Sequence, residues 1–129
     1  MRVWIATLSV CLGLAGCGTV HELAYGRPTA FIVFFEEKSS TLTPDAVSIV
    51  KSAADAIRKQ HPNTVQIAAG VAPGGNMELS QPRFAAVRKQ LIDDGVAEDT
   101  IARSAIPDPK LDTGPARQRV EIRLLAKGP

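Results

Sequence analysis

Val120, Ile122 and Leu124 alternate with Arg119, Glu121 and Arg123, which predicts a half-buried strand with a charged outer face. Ala30-Phe31-Ile32-Val33-Phe34-Phe35 has a different pattern. Apolar throughout and rich in β-branched and aromatic residues, it suits a central strand buried on both faces. Thr64 to Ala69 reads as a further strand and Ile101 to Ile106 as a short one. Between them, two stretches carry the helical period. Val47, Val50, Ala54 and Ile57 form one stripe, while Lys51, Asp55 and Lys59 stand at i,i+4 on another face. Thr43-Pro44-Asp45 starts this helix with an N-cap, a proline at the first position and an acid near the positive end of the dipole, and His61-Pro62 stops it. Phe84, Val87 and Leu91 mark a second helix over roughly Leu79 to Asp94, closed by Gly95, with Lys89 and Asp93 paired on its outer face. The segment 107–115 carries three prolines and reads as irregular. The order β-α-β-α-β-β predicts an α+β fold: a mixed sheet with two helices packed on one face, leaving the charged face of the last strand in water.

With 129 residues, 45% hydrophobic and 22% charged, the chain has room for one domain and a short appendage. Its net charge of +2 is small, its basic residues are dispersed and its aromatic residues few, which argues against nucleic acid as a partner. The appendage is the N-terminus. Arg2 supplies a positive start, Val3 through Leu14 are nearly all apolar or small, and the run is too short to span a bilayer comfortably as a permanent helix. Leu14-Ala15-Gly16-Cys17 resembles the bacterial lipobox. That resemblance implies a signal peptide over 1–16, removed before Cys17, and acylation of Cys17. Cys17 is then the only mature cysteine, so no disulfide forms within the chain, and several acyl chains on it anchor the protein stably. Gly18 follows in place of the Asp that marks inner-membrane retention in lipoproteins, which favours the outer membrane with the domain in the periplasm. Residues 17–29 form the lipidated cysteine and tether, and 30–127 the domain.

Candidate chemistry gathers at Gly70-Val71-Ala72-Pro73-Gly74-Gly75-Asn76, between a strand and a helix start, where binding residues collect. Arg83 is expected in the first turn of the following helix, beside free backbone N–H groups, an arrangement suited to a carboxylate. A solvated or ion-paired surface arginine is the alternative. No enzyme, cofactor or metal is implied. Ser80 lacks a Gly-x-Ser-x-Gly setting and reads as a helix cap, Glu36 and Glu37 point to opposite faces of a strand end, and His21 and His61 are isolated.

Phe34-Phe35-Glu36 with Ser39-Ser40-Thr41-Leu42-Thr43-Pro44, then Asn76, Leu79-Ser80, Arg83 and Val87, then Gly95-Val96 and Ile101, and finally Arg117-Gln118-Arg119-Val120-Glu121-Ile122, resemble the OmpA C-terminal domain family. The likeness covers about 30–125. It implies non-covalent binding of peptidoglycan, with the diaminopimelate of the stem peptide held by an Asp in Gly-x-Thr-Asp and the Arg of Leu-Ser-x-x-Arg. Arg83 falls on that Arg, but Gly70-Val71-Ala72-Pro73 stands where the Asp segment is expected. Diaminopimelate carries ammonium groups as well as carboxylates, and losing an acidic partner costs about 1.5 to 3 kcal/mol. Asn76 and Glu78 complete the expected peptidoglycan-binding residues, Glu78 as a substitute acid. Two functions are open at this point. One is an outer-membrane anchor gripping the cell wall. The other is a degenerate module, a structural subunit of an envelope-spanning assembly of secretion, conjugation or pilus type, in which the apolar Val71, Ala72 and Pro73 favour protein contact.

Overall fold

The computed structural model describes residues 27–70, 77–104 and 118–126. The expected signal peptide over 1–16, Cys17, most of the expected tether, residues 71–76 with Asn76, and the segment 107–115 all lie outside the described residues. In chain order the elements are β1 (Ala30–Phe34), α1 (Pro44–Gln60), β2 (Thr64–Ala69), α2 (Met77–Asp93), a short 3-10 turn (Glu98–Thr100), β3 (Ile101–Ser104) and β4 (Arg119–Leu125). The sheet order is β1-β4-β2-β3. β4 runs antiparallel to both of its neighbours, whereas β2 and β3 are parallel. This is the expected mixed α+β arrangement.

Local signals account for the helices. Thr43 caps α1, its Oγ1 accepting from the Ala46 N–H at 3.2 Å, and Pro44 opens the first turn. Ala46, Val50, Ala53, Ala54 and Ile57 are buried, so the stripe sits slightly round from the expected one and leaves Val47 at its margin. Asp55 pairs with Arg58 instead of with Lys51 or Lys59, because the shorter i,i+3 reach meets a guanidinium already held by the Asp94 carbonyl. His61 ends α1 in the left-handed region at φ 49°, its N–H bonded to the Ile57 carbonyl at 2.9 Å. Gly95, at φ 96°, ends α2, and the Val96 N–H reaches the Leu91 carbonyl at 2.9 Å. Lys89 and Asp93 pair at 2.7 Å, as their spacing predicts. Among the described residues no helix is long and apolar enough to cross a membrane.

Val33, Val65, Ile67, Val120 and Ile122 form the floor of the core, with Val50, Ala53, Val87 and Leu91 packed into it from the helices. The inward strand residues share one register row after another: Phe31 faces Ile122, Val33 faces Val120, and Ile67 faces Ile122 from the other side.

Two expectations are corrected. β1 is an edge strand, buried on one face only: Ile32 is 45% exposed and Phe34 50%. β4, from the far end of the sequence, inserts between β1 and β2 and takes the central place, and an unbroken apolar run does not distinguish the two positions. The charges on β4 are also less wet than expected. Arg119 and Glu121 side chains are each 14% exposed, and Arg123 is 30% exposed. Glu121 bonds Arg119 at 2.8 Å and also pairs with Arg123, so the acid is bracketed along its own strand.

Candidate anion site at Arg83

The buried line of α2 is Ser80, Arg83, Val87 and Leu91. Spacings of three and four keep these residues on one side of the helix, so a serine and an arginine occupy positions that the same stripe fills with apolar residues two turns later. Arg83 is 6% exposed. Its guanidinium lies over the Phe35 ring, 5.3 Å from the centroid. Nε donates to the Ser39 carbonyl at 2.8 Å and Nη2 to the Glu36 carbonyl at 3.1 Å.

Both acceptors belong to the connector after β1. Lys38 stands there at φ 61°, and the Ser39 N–H folds back to the Glu36 carbonyl at 3.1 Å, closing a tight turn. The Ser39 Oγ accepts from the Thr41 N–H at 3.1 Å, holding the next step of the chain. The end of β1, this turn and the second turn of α2 therefore meet at one guanidinium.

Every acceptor found for Arg83 is a neutral carbonyl, and among the described residues no carboxylate pairs with it. Burial lowers its pKa from the ordinary arginine value, since desolvation disfavours the cation. The group still stays protonated in a protein. Nη1 makes no hydrogen bond among the described residues. What results is a desolvated cation, held in position, with donor capacity left for an anion.

The expected site is therefore revised. Arg83 is the seventh residue of α2, not part of its first turn, because the helix begins at Met77 and runs through Pro82. It thus lies beyond the free N–H groups of the helix start, and the guanidinium alone supplies the charge. Ser80 is inside the helix, not a cap; it is 4% exposed, and its Oγ has no hydrogen-bond partner among the described residues. Glu78 is exposed in the first turn. Five residues of helix place it ~140° round from Arg83, so the helix does not bring the two together. Asn76 and Cys17 lie outside the described residues. Phe35 and the carbonyls of Glu36 and Ser39 were not expected at the site, and the Ser80-x-x-Arg83 spacing was the signal that could have joined Ser80 to it.

An open cleft of about 340 Å³ adjoins the turn, lined by Phe34, Phe35, Glu36, Thr43, Ala46 and Ile49 among others. It shares Phe35 and Glu36 with the surroundings of Arg83. Among the described residues no group of three His, Cys, Asp or Glu could hold a metal ion.

A model of the OmpA family matches residues 34–123. The fold is similar to the OmpA-like domain of FopA1 from Francisella tularensis, with TM-score 0.62, 18% identity and coverage of 77% of this chain and 75% of that one. It is similar to the C-terminal domain of Helicobacter pylori MotB, with TM-score 0.61, 21% identity and coverage of 75% and 85%. The peptidoglycan-associated lipoprotein from Burkholderia pseudomallei gives TM-score 0.59, 18% identity and coverage of 72% and 88%. No curated protein sequence matches the chain.

Proposed function

The chain belongs to the OmpA family, and from that premise we propose that it is an outer-membrane lipoprotein, anchored through Cys17, whose domain binds peptidoglycan non-covalently. The observation that carries this reading is the state of Arg83: a buried cation whose hydrogen-bond acceptors among the described residues are neutral carbonyls, with Nη1 making no hydrogen bond there. A carboxylate of the stem peptide, that of diaminopimelate in walls that use it, supplies the missing counter-charge through a charge-assisted hydrogen bond. The cleft beside Phe35 offers apolar surface for the rest of the peptide. Cell wall on one side and acyl chains on the other make the protein a tie between the two layers, with residues 17–29 as the spacer.

A second reading has its own support. Arg83 already bridges α2 to the turn after β1, which is sufficient work for a structural residue, and the family Asp is replaced by the Val71-Ala72-Pro73 stretch. On that reading the domain is a structural subunit of an envelope-spanning assembly and binds protein partners instead of the wall. Co-sedimentation of the full chain in detergent with purified diaminopimelate-type peptidoglycan separates the two. The anchor reading expects the wild type in the pellet and Arg83→Met in the supernatant. A wild-type protein that stays in the supernatant leaves the assembly subunit.

A further inference from the structure

We propose that the outer edge of β1 is a dimer interface, at which two copies of this chain pair their β1 strands antiparallel about Ile32 and join their sheets into one. The dimer does not depend on which of the two functions above holds.

The Thr29 carbonyl accepts from the Leu124 N–H at 2.8 Å, and the Phe35 N–H donates to the Gln118 carbonyl at 2.9 Å, so the odd-numbered residues of β1 turn their backbone groups toward β4. Ala30, Ile32 and Phe34 turn theirs the other way, where no strand lies among the described residues. All three side chains are exposed. Edge strands are commonly guarded by a charge, a proline or a bulge. Ala30–Phe34 contains no charged residue and no proline, and its register with β4 runs unbroken. The opposite edge is better guarded, since β3 is only four residues long and carries Arg103.

The unguarded edge has defined ends. Gln60 Nε2 donates to the Pro28 carbonyl at 2.8 Å, and the Glu36 carbonyl accepts from the Ser39 N–H and from Arg83 Nη2. Between them, a partner strand has Ala30, Ile32 and Phe34 to bond. A second copy reversed about Ile32 offers the same three residues: Ile32 meets Ile32 and Ala30 meets Phe34, which pairs each free N–H with a free carbonyl. Sliding the strands by two residues brings in Pro28, which has no N–H, or Glu36, whose carbonyl is already engaged. The side chains fit the same register, with small Ala30 beside large Phe34 and an apolar seam at the axis. So do the charges: exposed Arg27 precedes β1 and exposed Glu37 follows it, and the reversal brings the Arg27 end of each strand to the Glu37 end of the other. An edge-to-edge contact is small, so the dimer is weak and forms as concentration rises.

The test is sedimentation equilibrium of the full chain in density-matched detergent, up to about 1 mM protein, alongside a thermal melt of each variant. The wild type is expected to pass from monomer to dimer as concentration rises. Ile32→Lys sets two like charges opposite each other at the axis and is expected to remain monomeric with a nearly unchanged melting temperature, because Ile32 is exposed in the monomer. Ala30→Pro removes an N–H that points away from β4 and is expected to weaken the dimer at least about tenfold while the bonds to β4 persist. If Ile32→Lys loses its fold, Ala30→Pro decides alone. Arg27→Glu and Glu37→Arg are each expected to weaken association about threefold, and the two together to restore it. A wild type that stays monomeric throughout overturns the proposal, and so does a dimer that survives Ile32→Lys or Ala30→Pro. A double charge reversal that fails to restore the dimer overturns the register about Ile32.

Discussion

Arg83 and the Arg119-Glu121-Arg123 cluster both take charge out of water, in opposite ways. On β4 the acid lies between two guanidinium groups, so each desolvated charge has a partner fixed in the same strand. At Arg83 the cation is more deeply buried, yet among the described residues it meets two backbone carbonyls and the Phe35 ring and no carboxylate. A closed cluster of paired charges has little to offer a ligand and serves the sheet. A buried charge without a counter-ion keeps an unmet electrostatic demand, which an incoming anion satisfies. The difference separates a structural use of charge from a binding use within one small domain.

Breaking the paired cluster is expected to have the largest effect on stability. Glu121→Gln leaves Arg119 and Arg123 facing each other as like charges and is expected to lower unfolding free energy by roughly 1 to 3 kcal/mol, less than for a fully buried pair because water reaches part of it. Denaturant titration checks this.

The pH profile sharpens the same point. Burial by itself raises the Glu121 pKa, but the hydrogen bonds and charges of Arg119 and Arg123 outweigh it and hold the carboxyl below its ordinary value of 4.5. A depressed carboxyl pKa contributes stability that is present above the ordinary value and lost as pH falls toward the folded one. The wild type should therefore lose stability on acidification below about that value, and Glu121→Gln should show a flatter acid limb in melts across the same range.

Arg83→Met is expected to have the smallest effect on stability, within about 1 kcal/mol of the wild type. Two hydrogen bonds to carbonyls are lost, but so is the desolvation of an unpaired cation, and the two changes offset. A loss as large as that of Glu121→Gln would erase the distinction between the two regions.

These regions were not equally legible in the sequence. The alternation on β4 reports directly on the fold, since a period of two places Val120, Ile122 and Leu124 on one face and Arg119, Glu121 and Arg123 on the other. Thr43-Pro44, His61, Gly95 and the Lys89–Asp93 pair are likewise local signals, decided within a few residues of chain. The place of β1 in the sheet was not legible, because it depends on which strand joins it and β4 lies at the other end of the chain. The surroundings of Arg83 were hidden for a related reason. Its acceptors are backbone carbonyls 44 and 47 residues away, and a carbonyl carries no side-chain signature. Its place after a loop at a helix start drew attention to Arg83 and family likeness reinforced it, while its burial, its contact with Phe35 and the unpartnered hydroxyl of Ser80 required the packed structure.

The most direct test of Arg83 as an anion receptor is the dissociation constant of a diaminopimelate-containing stem peptide for the full chain, wild type against Arg83→Met, with both proteins melted in the same buffer. The account predicts at least about a tenfold loss of affinity in the variant at nearly unchanged melting temperature. Equal affinity in the two proteins would contradict it, and so would a variant whose loss of binding is matched by loss of the fold.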